Sequence, residues 1–196
     1  MECDYFPGFE GWLDRQLSSA DFHYVLGSVH PQLAEFRERY WRGDAVEFQL
    51  AYFSLLAEAA ETRLFDCLAH PDFIKNETPD DWHIATIMDD IRRALDRIAT
   101  AGVAMELNTS GTIKVIRELS PFPEMLVEMR QRSIPVTIGS DAHQPQRVGD
   151  GFDAALALLE ECGYESVSFF VERQRQDVRI RDALQSRESR VESPEV

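Results

Sequence analysis

The sequence predicts one α/β domain in which strands and helices alternate, as they do in a parallel barrel. Short apolar, β-branched runs that end in small or polar residues indicate buried strands. Longer segments between them carry apolar residues at helical spacing. This alternation favours a parallel sheet built from βα units over two separate domains. The chain has 196 residues, a length typical of a single domain.

Six segments are predicted to be strands. The first begins the chain, and the others are residues 22–26, 64–68, 102–105, 134–138 and 166–170. Four helices are predicted between or after them, over residues 45–61, 79–100, 123–132 and 150–163. Pro79 marks the start of the second helix and Gly102 stands just past its end, as the helix start and stop signals require.

Metal-ligating side chains stand where the predicted strands end. Asp141 and His143 follow residues 134–138, and His30, His70 and Asn108 follow three earlier strands. The carboxyl ends of barrel strands form one rim, so these side chains are expected to converge on one cavity. Aspartate and histidine suit Zn, Mn or Fe. A capping Asp141 beside an incidental surface His143 is the alternative for that pair alone, and the repetition along the chain favours a metal site.

Charge and cysteine content restrict the partners and the compartment. The net charge of −15 argues against nucleic acid or an acidic membrane surface, since phosphate backbones need a basic footprint. A small phosphorylated substrate stays possible, because bound cations can reverse the local charge. The three cysteines are unclustered, which indicates a reducing compartment. With neither a signal peptide nor a long apolar run visible, we expect a cytoplasmic, soluble protein.

Several motifs resemble those of the histidinol-phosphatases of the polymerase-and-histidinol-phosphatase (PHP) superfamily. They are GSVH, FDCLAHPDFIKN, ELNTSG and IPVTIGSDAHQPQRVGDGFDAALALLEECGY, in the order of the family. The resemblance runs to about Ile180 and implies a distorted (β/α)7 barrel. It also implies a phosphomonoesterase that hydrolyses L-histidinol phosphate in histidine biosynthesis. A cluster of up to three divalent metals, Zn, Mn or Fe, serves the family as cofactor.

The resemblance also implies the metal ligands. The opening segment MECDYFPG is similar to the family segment whose glutamate bridges two metals, which assigns that role to Glu2. His30 and His70 match the two histidines that hold one metal. Asp141 and His143 match the last motif, in which each side chain ligates a different metal, and they are the expected catalytic residues of a metal-assisted hydrolysis.

Four residues are expected to face the substrate. The ELNTSG motif supplies Asn108 and Ser110. Lys114 lies just beyond it, in a loop that the resemblance implies faces the phosphate. Arg147 is a second positive candidate, for which a solvated loop charge is the alternative interpretation.

The sequence departs from the family pattern at its N-terminal end. Family members begin with a strand that carries a His-x-His motif, and none precedes Glu2. We therefore expect residues 1–182 to form a PHP-type phosphoesterase domain, incomplete at the N-terminus, whose open strand edge favours a homo-oligomer. Residues 183–196 are charged and expected to be disordered. Two alternatives stay open: another PHP phosphoesterase acting on a small molecule or nucleotide, and a truncated remnant with little or no activity.

Overall fold

A parallel sheet of five short strands organises the domain. The computed structural model describes residues 1–184, and in it the strands lie side by side in sequence order. They are β1 (Glu2–Asp4), β2 (Leu26–Ser28), β3 (Cys67–Leu68), β4 (Ala104–Asn108) and β5 (Val136–Gly139). Every neighbouring pair is parallel, so each strand is followed by a crossover segment that contains a helix. The predicted α/β class is confirmed.

Besides a helical segment over residues 180–184, the described residues contain six α-helices. They are α1 (Glu10–Leu17), α2 (Ala34–Tyr40), α3 (Ala45–Glu61), α4 (Ile84–Ala101), α5 (Pro123–Gln131) and α6 (Phe152–Glu161). The last four match predicted helices, and α3 has the predicted bounds. Helices α1 and α2 were missed because they are short and bury only Leu13, Leu17 and Phe36, too few positions to set a helical period. None of the six combines the length and apolar composition of a membrane span.

Helices α3 and α4 pack against each other and supply much of the core, and α3 lies against β2 and β3. Helix α3 buries Phe48, Tyr52 and Phe53, and α4 buries its apolar stripe from Ile87 to Ile98. The stripe matches the predicted period, but α4 begins at Ile84 rather than Pro79. Pro79–Asp81 forms a separate 3-10 turn, and extended backbone at His83 divides it from α4. Gly102, with a φ of 77°, ends α4 as predicted.

The strand predicted at residues 166–170 exists, but it does not extend the parallel sheet. It is β6 (Ser166–Val171), and it forms an antiparallel hairpin with β7 (Gln174–Arg179). Glu172 and Arg173 make the turn with φ values of 52° and 63°, and a two-residue turn joins only antiparallel strands. Strand β7 was missed because its sequence QRQDVR is almost wholly exposed and lacks an apolar alternation.

The hairpin is held against the sheet at its tip. The Arg173 backbone N–H donates to the carbonyl oxygen of His23 at 3.0 Å, and its guanidinium donates to Asp66 at 2.8 Å. The Phe170 ring stacks on the Tyr24 ring with centroids 5.2 Å apart. Within residues 1–184 the five parallel strands form an open sheet, so the predicted barrel is not closed there. Of the tail predicted as disordered, residues 183 and 184 are helical, so the prediction was wrong there, and the rest lies outside the described residues.

Candidate metal centre

Three side chains from neighbouring strands meet at one point. Glu2 lies in β1, His30 follows β2 and His70 follows β3. One carboxylate oxygen of Glu2 lies 3.4 Å from Nε2 of His70 and 3.9 Å from Nε2 of His30. A ligand atom from each of the three lies within 4.8 Å of the other two. We call Glu2, His30 and His70 the metal group.

His70 occupies the most constrained position of the metal group. Its side chain is buried, and its Nδ1 has no hydrogen-bond partner among the described residues. Its φ of 28° lies in the region that non-glycine residues seldom adopt. The backbone N–H donates to Oε2 of Glu106 at 2.9 Å, and the Tyr52 hydroxyl donates to the carbonyl oxygen at 3.2 Å. A buried imidazole held in a fixed place, with its Nε2 facing the Glu2 carboxylate at 3.4 Å, suits a metal ligand.

The acids around His70 control its charge. Burial by itself disfavours the imidazolium, but the hydrogen bond to Glu2 and the charges of Glu106, Glu2 and Asp141 raise the pKa of His70 above its ordinary value. The same contact with His70 lowers the pKa of the Glu2 carboxyl. Each of the two groups therefore stabilises the charged form of the other. Both groups must present lone pairs when a cation replaces the proton.

Asp4 orients His30 and was missed from the sequence. Its carboxylate is hydrogen-bonded to Nδ1 of His30 and accepts a hydrogen bond from the Ser28 hydroxyl at 3.0 Å. The contact with His30 lowers the pKa of Asp4. A carboxylate on one ring nitrogen fixes the ring of a metal-binding histidine and leaves the other nitrogen for the metal. The available signal was spacing, since residues two apart on a strand share a face and Asp4 follows Glu2 by two.

Glu106 is a second acid that the sequence left without a role. It is buried in β4, and burial raises the pKa of its carboxyl. Its Oε2 accepts hydrogen bonds from the backbone N–H of His70 and from Nδ2 of Asn108, both at 2.9 Å. The signal in the sequence was an acid inside the strand AMELN, in which every residue is buried. Buried carboxylates are rare unless paired or functional.

The last motif is divided by the structure. Asp141, with a φ of 45°, lines the same cavity as Glu2 and His70, and its Oδ2 accepts a hydrogen bond from the Ser110 hydroxyl at 3.1 Å. The side chain of His143 is 84% exposed, and its Nδ1–H donates to the carbonyl oxygen of Asp141 at 2.9 Å. The structure thus brings Asp141 toward the metal group and leaves the His143 ring outside it.

The predicted substrate residues occupy different surroundings. Asn108 is buried and uses both ends of its amide, since its Oδ1 accepts from the backbone N–H of Ser110 at 2.9 Å. The Lys114 ammonium lies 5.4 Å from the centroid of the Phe73 ring, which itself lies 5.3 Å from the His70 ring. Lys114 is therefore separated from the metal group by one aromatic ring. Arg147 forms an ion pair with Asp150 at 3.2 Å.

A polar cavity of about 380 Å³ opens beside the metal group. Its rim carries Glu2, His70, Glu106 and Asp141, and Phe170 of the hairpin helps to line it. The donor set of one carboxylate and two imidazoles, with Asp141 nearby, matches the nitrogen and oxygen ligands of Zn and related divalent metals. These residues therefore fit a divalent cation.

Comparison with curated proteins finds two bacterial relatives, whereas no family model matches. The chain is 34% identical over 178 residues to the "Probable histidinol-phosphatase" of Deinococcus radiodurans, covering 86% of this chain and 66% of the relative. It is 29% identical over 160 residues to the "Probable histidinol-phosphatase" of Clostridium acetobutylicum, covering 76% and 61%. The chain thus spans slightly less than two thirds of the length of these relatives.

Two solved structures share the fold. The histidinol phosphate phosphatase (HISK) of Lactococcus lactis, complexed with Zn, L-histidinol and phosphate, matches with a TM-score of 0.75 at 19% identity, over 90% of this chain and 70% of that one. The hisK protein of Listeria monocytogenes matches with a TM-score of 0.67 at 21% identity, over 79% and 66%. The chain is thus similar in sequence to two proteins named probable histidinol-phosphatase, and it shares its fold with these two solved structures.

Proposed function

We propose that this protein is a metal-dependent phosphomonoesterase that converts L-histidinol phosphate and water to L-histidinol and phosphate. The observation that carries the proposal is the metal group, in which Glu2, His30 and His70 lie within 4.8 Å of one another. The proposal is also supported by the two relatives named histidinol-phosphatase and by the fold shared with an enzyme that holds Zn, L-histidinol and phosphate.

The metal group would hold the cation, with Asp141 as a further ligand from the cavity rim. A divalent cation supplies Lewis acidity toward phosphoryl oxygens and lowers the pKa of water. Asp4 fixes the His30 ring, and Glu106 fixes the main chain of His70. Asp141 and His143 remain the proposed catalytic pair, and the hydrogen bond from Ser110 to Asp141 orients that carboxylate.

Positive charge near the site has to come from few sources, because the chain carries a net charge of −15. A bound cation can provide most of it. Among the residues predicted to face the substrate, Lys114 carries a positive charge on the far side of the Phe73 ring, which itself contacts the His70 ring. We therefore place the phosphate at the metal group, with Asn108, Ser110 and Lys114 as the proposed substrate-facing residues. Arg147 contributes less in this proposal, since Asp150 already neutralises it.

The finer assignments belong to the same proposal. We propose Zn, Mn or Fe as the metal, up to three ions, a place in histidine biosynthesis and a cytoplasmic location. Cys3, Cys67 and Cys162 are all free, which agrees with a reducing compartment. We also propose residues 1–182 as the phosphoesterase domain. Strand β1 forms one edge of the described sheet, and an exposed edge supports a homo-oligomer.

A second candidate function follows from the exposure of His143. If its ring stays outside the site, the chain retains one cation at the metal group and has little or no activity. The decisive experiment measures phosphate release from L-histidinol phosphate by the metal-free chain after addition of Zn, Mn or Fe in turn. Glycerol phosphate and a nucleoside monophosphate test the alternative substrates. Metal-dependent release that prefers L-histidinol phosphate supports the first candidate, and metal binding without release from any substrate supports the second.

A further inference from the structure

A second cavity lies against the metal group. It has a volume of about 260 Å³ and lies between the segment that follows β1 and the start of α2. Its walls are mainly apolar and aromatic: Tyr5, Phe6, Phe9, Trp12, Leu33 and Phe36. We call this the aromatic cavity. Asp4 and His30 also line it, so it shares a wall with the metal group.

Three large apolar side chains of the aromatic cavity are exposed to solvent. Phe9 and Trp12 are 55% and 52% exposed, and Leu33 is 42% exposed. Concave apolar surfaces with a few polar groups at the edge are typical of small-molecule sites. The location also fits, since ligands of α/β proteins bind where the chain leaves the carboxyl ends of the strands.

The charge of the lining selects the kind of ligand. The charged side chains that line the cavity include the carboxylates of Asp4 and Glu35 and no lysine or arginine. Aromatic faces attract cations and stack with other rings. One of the lining rings, that of Phe6, already has a cation over it, since the Arg39 guanidinium lies 5.1 Å from its centroid. A positively charged ligand with a flat ring matches both features.

We propose that the aromatic cavity binds the ring and ammonium end of the substrate and thereby sets specificity among phosphomonoesters. The inference rests on the proposed function for the place of the phosphate, which lies at the metal group across His30. A substrate with its phosphate there can extend past His30 and Asp4 into the cavity. The ring then packs against Phe9 and Trp12, and the ammonium faces Asp4 and Glu35.

The test measures binding of L-histidinol to the full chain by isothermal titration calorimetry, with Mn and inorganic phosphate present. The variants Phe9→Ala and Trp12→Ala alter exposed side chains and should leave the fold intact. Each should weaken L-histidinol about tenfold, while the affinity for Mn alone stays within about twofold. Val127→Ala is the control, because Val127 is 40% exposed on α5 and outside both cavities.

The outcomes separate the cavity from the chemistry. Unchanged binding in both variants overturns the assignment, and so does a chain that binds no L-histidinol. Loss of binding in Phe169→Ala but not in Trp12→Ala would move the ring to the polar cavity, which Phe169 lines. Loss in Trp12→Ala without hydrolysis of any phosphomonoester leaves the cavity assignment standing and removes the proposed function. Hydrolysis of L-histidinol phosphate with an unchanged KM in both variants overturns the cavity assignment and leaves the proposed function standing.

Discussion

The backbone N–H of His70 donates a hydrogen bond to the buried carboxylate of Glu106, at 2.9 Å. The side chain of His70 belongs to the metal group, whereas its main chain is held in an unfavourable conformation with a φ of 28°. Glu106 faces the main chain and Tyr52 secures the carbonyl oxygen. Such a conformation persists only where the surroundings enforce it. Glu106 is therefore a positioning residue for a candidate metal ligand.

Replacing Glu106 by Ala should weaken metal binding. The change removes the acceptor for the His70 N–H, so the imidazole loses its fixed orientation. Residues that orient metal ligands typically contribute about 10- to 100-fold in affinity, and we expect a loss of that size for Mn or Zn in calorimetry. Glu106→Gln should lose less, because its amide oxygen can still accept the hydrogen bond.

Glu61→Ala is the control for this experiment, since Glu61 forms an ion pair with Arg97 on the surface, away from the metal group. Its metal affinity should match the unchanged chain. Equal metal affinity in Glu106→Ala and the unchanged chain, with both folded by circular dichroism, would remove the positioning role.

Gly139→Ala should displace the Glu106 carboxylate that holds the main chain of His70. A Cβ at residue 139 would lie 1.9 Å from Oε1 of Glu106, so the carboxylate has to move. Overpacking of this kind costs about 1–3 kcal/mol of unfolding free energy, measured by denaturant titration. Gly11→Ala is the matched control, because its added Cβ would meet nothing closer than 3.8 Å. A Gly139→Ala protein as stable as Gly11→Ala, with unchanged metal affinity, would contradict the close approach.

The two histidines His70 and His23 should differ in their effect on metal content. His70→Ala removes a ligand of the metal group, and elemental analysis should show a loss of bound divalent metal of at least about tenfold at limiting metal. His23 accepts hydrogen bonds from the hairpin turn, through Nδ1 at 3.2 Å from the Glu172 nitrogen and through its carbonyl oxygen. His23→Ala should lower the melting temperature and keep the metal. Equal metal content in both variants would exclude His70 as a ligand.

The metal-free protein should lose stability as the pH rises above neutrality. The pKa of His70 is raised in the folded state above its ordinary value of 6.5. A histidine of this kind contributes stability that is fully present below the unfolded pKa and is lost as the pH passes the folded pKa. The pKa of the Glu106 carboxyl is also raised in the folded state, so this group too lowers the stability as the pH rises above its ordinary pKa of 4.5.

Melting temperatures of the metal-free chain at pH 6, 7 and 8 test this expectation. We expect a fall across the series that is smaller in His70→Gln, which cannot gain the proton. An equal fall in both proteins would assign the pH dependence to other groups.

The α/β class, the helices α3 to α6 and the convergence of His30 and His70 could be predicted from sequence patterns, whereas Glu2 was assigned only through the family resemblance. Long amphipathic periods mark such helices, and strand ends mark such a site. The hairpin could not be predicted in the same way. Its turn residues Glu172 and Arg173 are not the glycine or asparagine that usually adopt positive φ, and β7 is polar throughout. Closure of a barrel depends on distant pairings, which local patterns do not encode.

Residues that act through other residues were the hardest to predict. Asp4 and Glu106 contact His30 and His70 by hydrogen bonds that exist only after the sheet assembles. In the sequence, each is one of 35 acidic residues, so the composition did not mark either Asp4 or Glu106 as functional. The opposite case is His143, whose motif stands out in the sequence while its ring lies 84% exposed to solvent.

The central claim is that Glu2, His30 and His70 hold a divalent metal. Crystals of the chain grown with Zn, with diffraction recorded on both sides of the Zn absorption edge, test it most directly. We predict an anomalous peak bonded to the Glu2 carboxylate and to a ring nitrogen of each histidine, at about 2.0–2.2 Å. The peak should vanish in crystals of His70→Ala. No peak within bonding distance of these three side chains in a fully Zn-saturated crystal would contradict the account.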